Sequence, residues 1–335
     1  MCSTSLRDLA SDEVYSNVLH VLTIIEISAH FFGAYVIASK TPKKLESVRA
    51  SMLYLHLVGA FVDVYFSLLT MPVLHLPICG GHPLGILSFF GVPTSLQVYV
   101  GVSLFGVIAV TILIFLEDRR YRLVHGHKTC TRRKWCRLLF VIALYSLAAA
   151  LPTPVFLHLP DQETGKLVSL SKNQCIPRDL INHPNFFLLD DGGYYIVICA
   201  MFTIVFIGFQ ILLQVGLICR ELFKHSHVSK STHRLQKQFF IAMSLQIVIP
   251  LLVLVFPVLY FAFSVSSNYY NQGANNLAFL IVSLHGVTTT LMMLMVHTPY
   301  RNSIFEMLNL KSANQSGDHT RRIWKISSLE SHQRI

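Results

Sequence analysis

The sequence predicts an all-α membrane protein: a bundle of seven transmembrane helices, amino terminus outside, with a short amphipathic helix after the seventh span. Three observations carry this expectation. Of 335 residues, 53% are hydrophobic and only 13% are charged, against about 25% charged in soluble domains. Seven apolar segments follow one another, each long enough to cross a bilayer. The Lys and Arg residues fall between those segments, and unevenly.

The segments are Val14–Ala38, Met52–Leu74, Val92–Leu116, Leu138–Leu159, Tyr194–Cys219, Phe239–Phe263 and Leu277–Val296. The last runs for 20 residues without Lys, Arg, Asp or Glu. At ~1.5 Å per residue it reaches ~30 Å, the thickness of a hydrocarbon core. One such segment could be a buried core helix, but seven could not. The third can begin earlier, near Leu84, with Pro93 bending it. The first has no basic leader, the pattern of a signal anchor rather than a cleaved signal. With no repeat and no Gly/Pro/Ser-rich linker, the chain reads as one membrane domain.

Orientation follows from the basic residues. The connections between spans one and two, three and four, and five and six, together with the tail, carry 23 of the 27 Lys and Arg, and the amino terminus and other loops carry 4. Basic segments stay in the cytoplasm, so the carboxyl terminus is expected inside. The net charge of +10 is thereby a matter of topology, and no nucleic-acid surface is expected. The expected divisions are residues 1–13 as an extracellular amino terminus, 14–296 as the seven-helix domain, 297–310 as an amphipathic cytoplasmic helix and 311–335 as a flexible cytoplasmic tail. Ile304, Phe305, Leu308 and Leu310 put apolar side chains on one side of that helix, suited to lying on the lipid bilayer.

Four stretches carry a resemblance: LPICGGHPLGILSFFGVPTSLQVYVG (Leu76–Gly101), FLEDRRYRL (Phe115–Leu123), the segment from LPDQETGK to NQCIP (Leu159–Pro177), and SLHGVTTTLMMLMVHTPYR (Ser283–Arg301). The chain resembles the nematode serpentine receptor class H family of seven-transmembrane chemoreceptors, within the rhodopsin-like G-protein-coupled receptors. The resemblance covers roughly Val14 to Leu310. It implies a receptor for small odorants or other environmental chemicals, in the plasma membrane of sensory cilia, with a heterotrimeric G protein as partner.

Several residues stand out against that background. Glu117-Asp118-Arg119-Arg120-Tyr121 resembles the acidic-Arg-aromatic signature at the inner end of the third span in rhodopsin-like receptors. There the Arg is held by its neighbouring carboxylate until activation, a role that charge-assisted hydrogen bonding explains. Asp118, Arg119 and Tyr121 are the switch candidates, and an Arg that merely complements a helix C-terminus is the plainer reading. Pro299-Tyr300-Arg301 stands where those receptors carry Asn-Pro-x-x-Tyr, but the Asn and the intervening pair are missing. It reads equally as a coupling element or as a helix end with headgroup anchors. Glu26 and Asp63 are the acids inside spans, near mid-membrane, where an ionisable group is costly and faces the bundle interior. They are expected to form a polar lock, Asp63 toward His285 or Thr288–Thr290 on the seventh span. Pro250 and Pro257 free backbone carbonyls in the sixth span and predict a kink.

Cys175 and Cys79 fall outside, where a disulfide would tie the long outer loop to the mouth of the third span, although Cys2 leaves the outer count odd. His125, His127 and Cys130 have a zinc-like composition but no zinc spacing, so no metal is expected, and no cofactor or catalytic set is legible. A small-molecule ligand is expected in the outer halves of spans three, five, six and seven, at Gln97, Tyr99, Tyr195, Tyr260, Phe279 and His285, an apolar site with few polar groups. A seven-helix ligand-gated channel or a small-solute transporter is the alternative. An odd span number without a repeat opposes the transporter, and the basic-residue distribution opposes a channel with its amino terminus inside.

Overall fold

Seven helices long and apolar enough to cross a membrane stand among the described residues of the chain. The computed structural model describes residues 6–41, 46–125, 131–173, 175–177, 183–190, 194–224 and 230–308. The expected tail, 311–335, lies outside them, as do residues 126–130 with most of the zinc-like set.

The first span is Asp12–Lys40, with Asp12 and Glu13 in its first turn and Lys40 in its last, charges that complement the helix dipole. The second is Glu46–Val64, continued by a wider π turn over Tyr65–Thr70. It stops short of the expected Leu74. Met71 adopts a left-handed conformation (φ 45°), and Pro72 then opens a strand, since Pro cannot continue the backbone ladder. The third span, Thr94–His125, is preceded by a separate short helix, Ile86–Phe89. Gly91 at φ +72° makes that break, a conformation glycine takes without strain. The fourth is Thr131–Ala149, the fifth Tyr194–Lys224 and the sixth Lys230–Ser266. The sixth helix runs through both Pro250 and Pro257.

The seventh span is divided at Leu284 into Gln272–Ser283 and His285–Val296. Its start is capped by Asn271, whose side chain accepts from the Ala274 N–H at 3.0 Å. It ends because His297 is extended. Pro299 does not end the span but sits in the first turn of the next helix, Thr298–Met307, where its missing N–H costs nothing.

The first span packs on the second and seventh, the third on the second, fourth and fifth, and the sixth on the seventh. Around the amino-terminal half the core holds Tyr15, Leu19, Tyr65, Phe66 and Phe279. Around the opposite half it holds Ile37, Met52, Leu116, Met243, Met293 and Tyr300. The fifth span exposes Ile198, Phe202, Phe206, Phe209 and Leu212, a face suited to lipid chains. A cap closes the amino-terminal end. Its three-stranded antiparallel sheet is β1 (Pro72–Leu74), β2 (Cys79–Pro83) and β3 (Phe187–Asp190), in the order β1-β2-β3, followed in from the fourth span by the helix Gln162–Lys172.

Candidate functional site

Midway along the bundle, spans one, two and seven share a polar cluster in an otherwise apolar layer. Asp63 is 3% exposed. Its Oδ2 lies 2.9 Å from His30 Nε2 on the first span, and its Oδ1 lies 3.7 Å from His285 Nδ1 on the seventh. The other ring nitrogen of His30 is 3.2 Å from Thr290 Oγ1. His56 Nε2 donates to the His30 carbonyl at 2.9 Å. Two glycines permit this approach. A Cβ on Gly33 would stand 2.7 Å from the His56 ring, and one on Gly286 would overlap the Asp63 carboxylate. A carboxylate between two imidazoles can neutralise its charge by binding one proton on either ring, which is how a buried charge becomes tolerable. Glu26, fully buried, accepts from Ser67 Oγ at 2.5 Å, and Thr23 Oγ1 donates to the Ser67 carbonyl at 3.0 Å.

The structure therefore brings Asp63 and His285 together, joins Thr290 of the expected stretch to His30 rather than to Asp63, and adds His30 and His56, which sequence reasoning did not single out. A neutral polar residue in an apolar run is a weak signal, because it can as readily face lipid headgroups or a backbone carbonyl.

At the opposite end from the amino terminus, the third span finishes in an ionic cluster. Asp118 Oδ2 accepts from Arg122 Nε at 2.8 Å and Asp118 Oδ1 from Arg137 Nη2 of the fourth span at 2.8 Å. Arg137 Nε also donates to Glu117 Oε2 at 2.9 Å, and its guanidinium lies over the Tyr121 ring at 5.3 Å. The two carboxylate oxygens of Asp118 thus serve Arg122 and Arg137 rather than holding Arg119 alone. Arg119 is itself buried, 9% exposed.

Nearby, Tyr300 is buried within the bundle rather than placed at its surface. Its hydroxyl lies 2.9 Å from Thr41 Oγ1 and 3.8 Å from Met52 Sδ, joining the helix after the seventh span to spans one and two. His297 Nε2 is 3.1 Å from Gln246 Oε1 of the sixth span, and burial pushes the His297 ring down to about 4. Arg301 donates to the Met295 carbonyl at 3.3 Å.

Apart from Tyr195, the residues expected to hold a ligand each have a partner of their own. Gln97 is 1% exposed and donates to the Val92 carbonyl at 2.8 Å, back toward the start of its helix. The Tyr99 hydroxyl meets Thr153 Oγ1 at 3.1 Å. Tyr260 donates to Asn275 Oδ1 at 2.8 Å, linking spans six and seven. Phe279 stands edge-on to Phe66 at 5.7 Å. The Tyr195 side chain lies outside the described residues. Among the described side chains no hydrogen bond or ring contact joins any two of the six.

The expected Cys79–Cys175 bridge is corrected. Cys79 is a free thiol, set opposite Asp190 by the β2–β3 register. Cys175 is disulfide-bonded, but not to Cys79. Sheet pairing decides the neighbours of Cys79, and that pairing is not visible in the loop spacing. Burial pushes the Cys79 thiol up to about 12, with the Asp190 charge adding to it. No group of three or more His, Cys, Asp or Glu suited to a metal ion occurs among the described residues.

Seven spanning helices, an amino-terminal cap and a buried ionic cluster at the far end of the third span define a polytopic membrane protein of the serpentine kind. The chain belongs to the serpentine type 7TM GPCR chemoreceptor Srh family, whose model matches residues 10–310. It is 22% identical over 303 residues to serpentine receptor class H-72 of Caenorhabditis elegans, a match that covers 90% of this chain and 87% of that relative. Membership carries a chemoreceptor role of the G-protein-coupled type.

Proposed function

We propose that this chemoreceptor binds a small environmental molecule within the amino-terminal half of its bundle and activates a heterotrimeric G protein at the opposite face. The amino terminus is outside, and the receptor works in the plasma membrane, at the ciliary membrane of sensory neurons. The observation that carries the reading is the ionic cluster of Glu117, Asp118, Arg122 and Arg137 beside buried Arg119, in a chain of chemoreceptor ancestry. Two carboxylates hold Arg122 and Arg137 at this helix end, beside the buried Arg119. Separation of the third and fourth spans there would release Arg137 and open Arg119 and Arg122 toward an acidic surface, with Arg122 still paired to Asp118 on its own helix.

The mid-membrane cluster supports the same reading. Asp63, His30 and His285 join spans one, two and seven midway between the two ends of the bundle. A ligand shifts such an equilibrium only by its differential affinity for the two arrangements. Pairing within the cluster sets the energy of each arrangement.

The test is a panel of odorants applied to cells expressing the receptor with a G-protein readout. Epitope tags after Met1 and after Ile335 report topology in the same cells. A response that needs the G protein, with the Met1 tag stained before permeabilisation, is expected. Reversed staining, or a ligand-gated current without G protein, overturns the reading.

A further inference from the structure

The cap holds a chain of hydrogen bonds whose direction can be worked out atom by atom. Asn276 Nδ2 donates to the Leu9 carbonyl at 2.8 Å, so its Oδ1 faces the Gln272 amide as acceptor. Gln272 Nε2 donates to Asn276 Oδ1 at 2.8 Å and to the Leu74 carbonyl at 3.0 Å. That fixes Gln272 Oε1 as the acceptor toward His75 Nδ1, 2.7 Å away, so His75 Nδ1 carries a proton. His75 is 1% exposed, and burial, then the neighbouring His82, pushes its ring down to about 4. It is therefore neutral, and its Nε2 is an acceptor. His82 Nδ1, 3.1 Å from that nitrogen, must donate. The remaining nitrogen, His82 Nε2, lies 3.0 Å from Asp12 Oδ2, and that link needs a proton too.

The count does not close with neutral rings. Three links, His75 to Gln272, His82 to His75 and His82 to Asp12, each need one proton. Two neutral imidazoles supply two, and an ionised Asp12 supplies none. The third proton sits on His82 Nε2, making an imidazolium–carboxylate pair, or on Asp12, which then donates to His82. Either way one bound proton completes the chain. We propose that Asp12, His82 and His75 form a binding site for a single proton that clasps the cap to the first span and the start of the seventh.

Loss of that proton leaves one link as two facing lone pairs, with the His82 side chain enclosed and unable to turn to water. The clasp joins β1 and β2 to Asp12 of the first span and, through Gln272 and Asn276, to the seventh span and Leu9. Its opening therefore removes one link of the chain, while Tyr15 on the first span and Gln272 and Asn275 on the seventh still hold the carbonyls of Pro72, Leu74 and Leu76. The groups that face it are Asp12 from the first span, His75 and His82 from the sheet, and His183 from the loop before β3, whose ring lies 4.4 Å from that of His82. The Tyr270 hydroxyl is 3.5 Å from Gln272 Oε1, and Lys166 lies over Phe186, which stacks on His75. Burial and then the charge at His82 push the His183 ring down, so His183 does not supply the missing proton. The sign follows: the proton is held in the clasped state, so the clasp is intact on the acid side and opens as pH rises. This inference needs only the geometry of the cap and stands whether or not the receptor couples to a G protein.

The experiment is hydrogen exchange of the purified full-length receptor in lipid nanodiscs, read at residues 72–83 and corrected for intrinsic exchange. Between about pH 5.5 and about pH 8, the wild-type segment is expected to lose about tenfold or more in protection. In Asp12→Asn the carboxamide N–H donates to His82 Nε2, and two neutral rings complete the chain. Protection should then be retained and independent of pH. His183→Ala, which removes no link, should keep the wild-type pH dependence. A wild-type segment equally protected at both pH values overturns the proposal without any variant. So does an Asp12→Asn segment that keeps the wild-type dependence, or a His183→Ala segment that loses it.

Discussion

Gly286→Ala is the sharpest perturbation the structure offers. In an exposed helix this change is stabilising by roughly 0.5–1 kcal/mol, because Ala loses less backbone freedom. Here the added methyl would occupy the space of Asp63 Oδ2 and Cγ. The carboxylate is 3% exposed and packed between His30 and His285, so it cannot move aside without leaving its partners. Breaking a buried charged contact costs about 3–5 kcal/mol, far more than the gain in helix propensity. Gly286→Ala should therefore destabilise the receptor by roughly 3 kcal/mol or more. In an Asp63→Ala background the space is free, and the same change should be neutral or slightly stabilising. The assay is a double-mutant cycle on thermal unfolding in nanodiscs, with surface expression in cells as a second readout. An equal effect of Gly286→Ala in both backgrounds would refute the reasoning, because it would place the cost in the backbone and not in the carboxylate.

Arg119→Ala and Arg119→Lys should both weaken G-protein signalling at near-normal surface expression, since an ammonium cannot reproduce the guanidinium fork; wild-type signalling from both would leave the charge a merely positional role. Tyr300→Phe removes the hydroxyl contact with Thr41 at 2.9 Å and should lower stability by about 1 kcal/mol, checked by thermal unfolding. Burial holds the His297 ring at about 4, below its ordinary value of about 6.5. The folded state thus binds fewer protons than the unfolded one between those values, and stability is full above the upper value and falls toward the lower. His297→Gln should remove that part of the acid loss, up to roughly 3 kcal/mol, and an unchanged pH profile from unfolding midpoints would count against it.

Local physics made the spans legible. Whether twenty residues prefer lipid to water is a sum over those residues, so Leu277–Val296 reads as a span without knowledge of its neighbours. The same holds for Glu26 and Asp63, since an acid in an apolar run announces itself as buried and functional or structural. Partners are another matter. His30, His56 and Gly286 have ordinary residue types for their segments, and only helix packing brings them to Asp63. Asp118 stands beside Arg119 in sequence, yet its oxygens face Arg122 one turn on and Arg137 across on the fourth span, because neighbours on a helix point about 100° apart. The cap was the least legible part. His75 and His82 lie in what reads as a loop; β1 pairs with β2 across a short connection, whereas β2 meets β3 only through pairing between segments about a hundred residues apart. Hydropathy along the chain determines how many times it crosses the membrane; which polar group meets which is decided by backbone approach in three dimensions, where a missing Cβ or a strand register sets the distance.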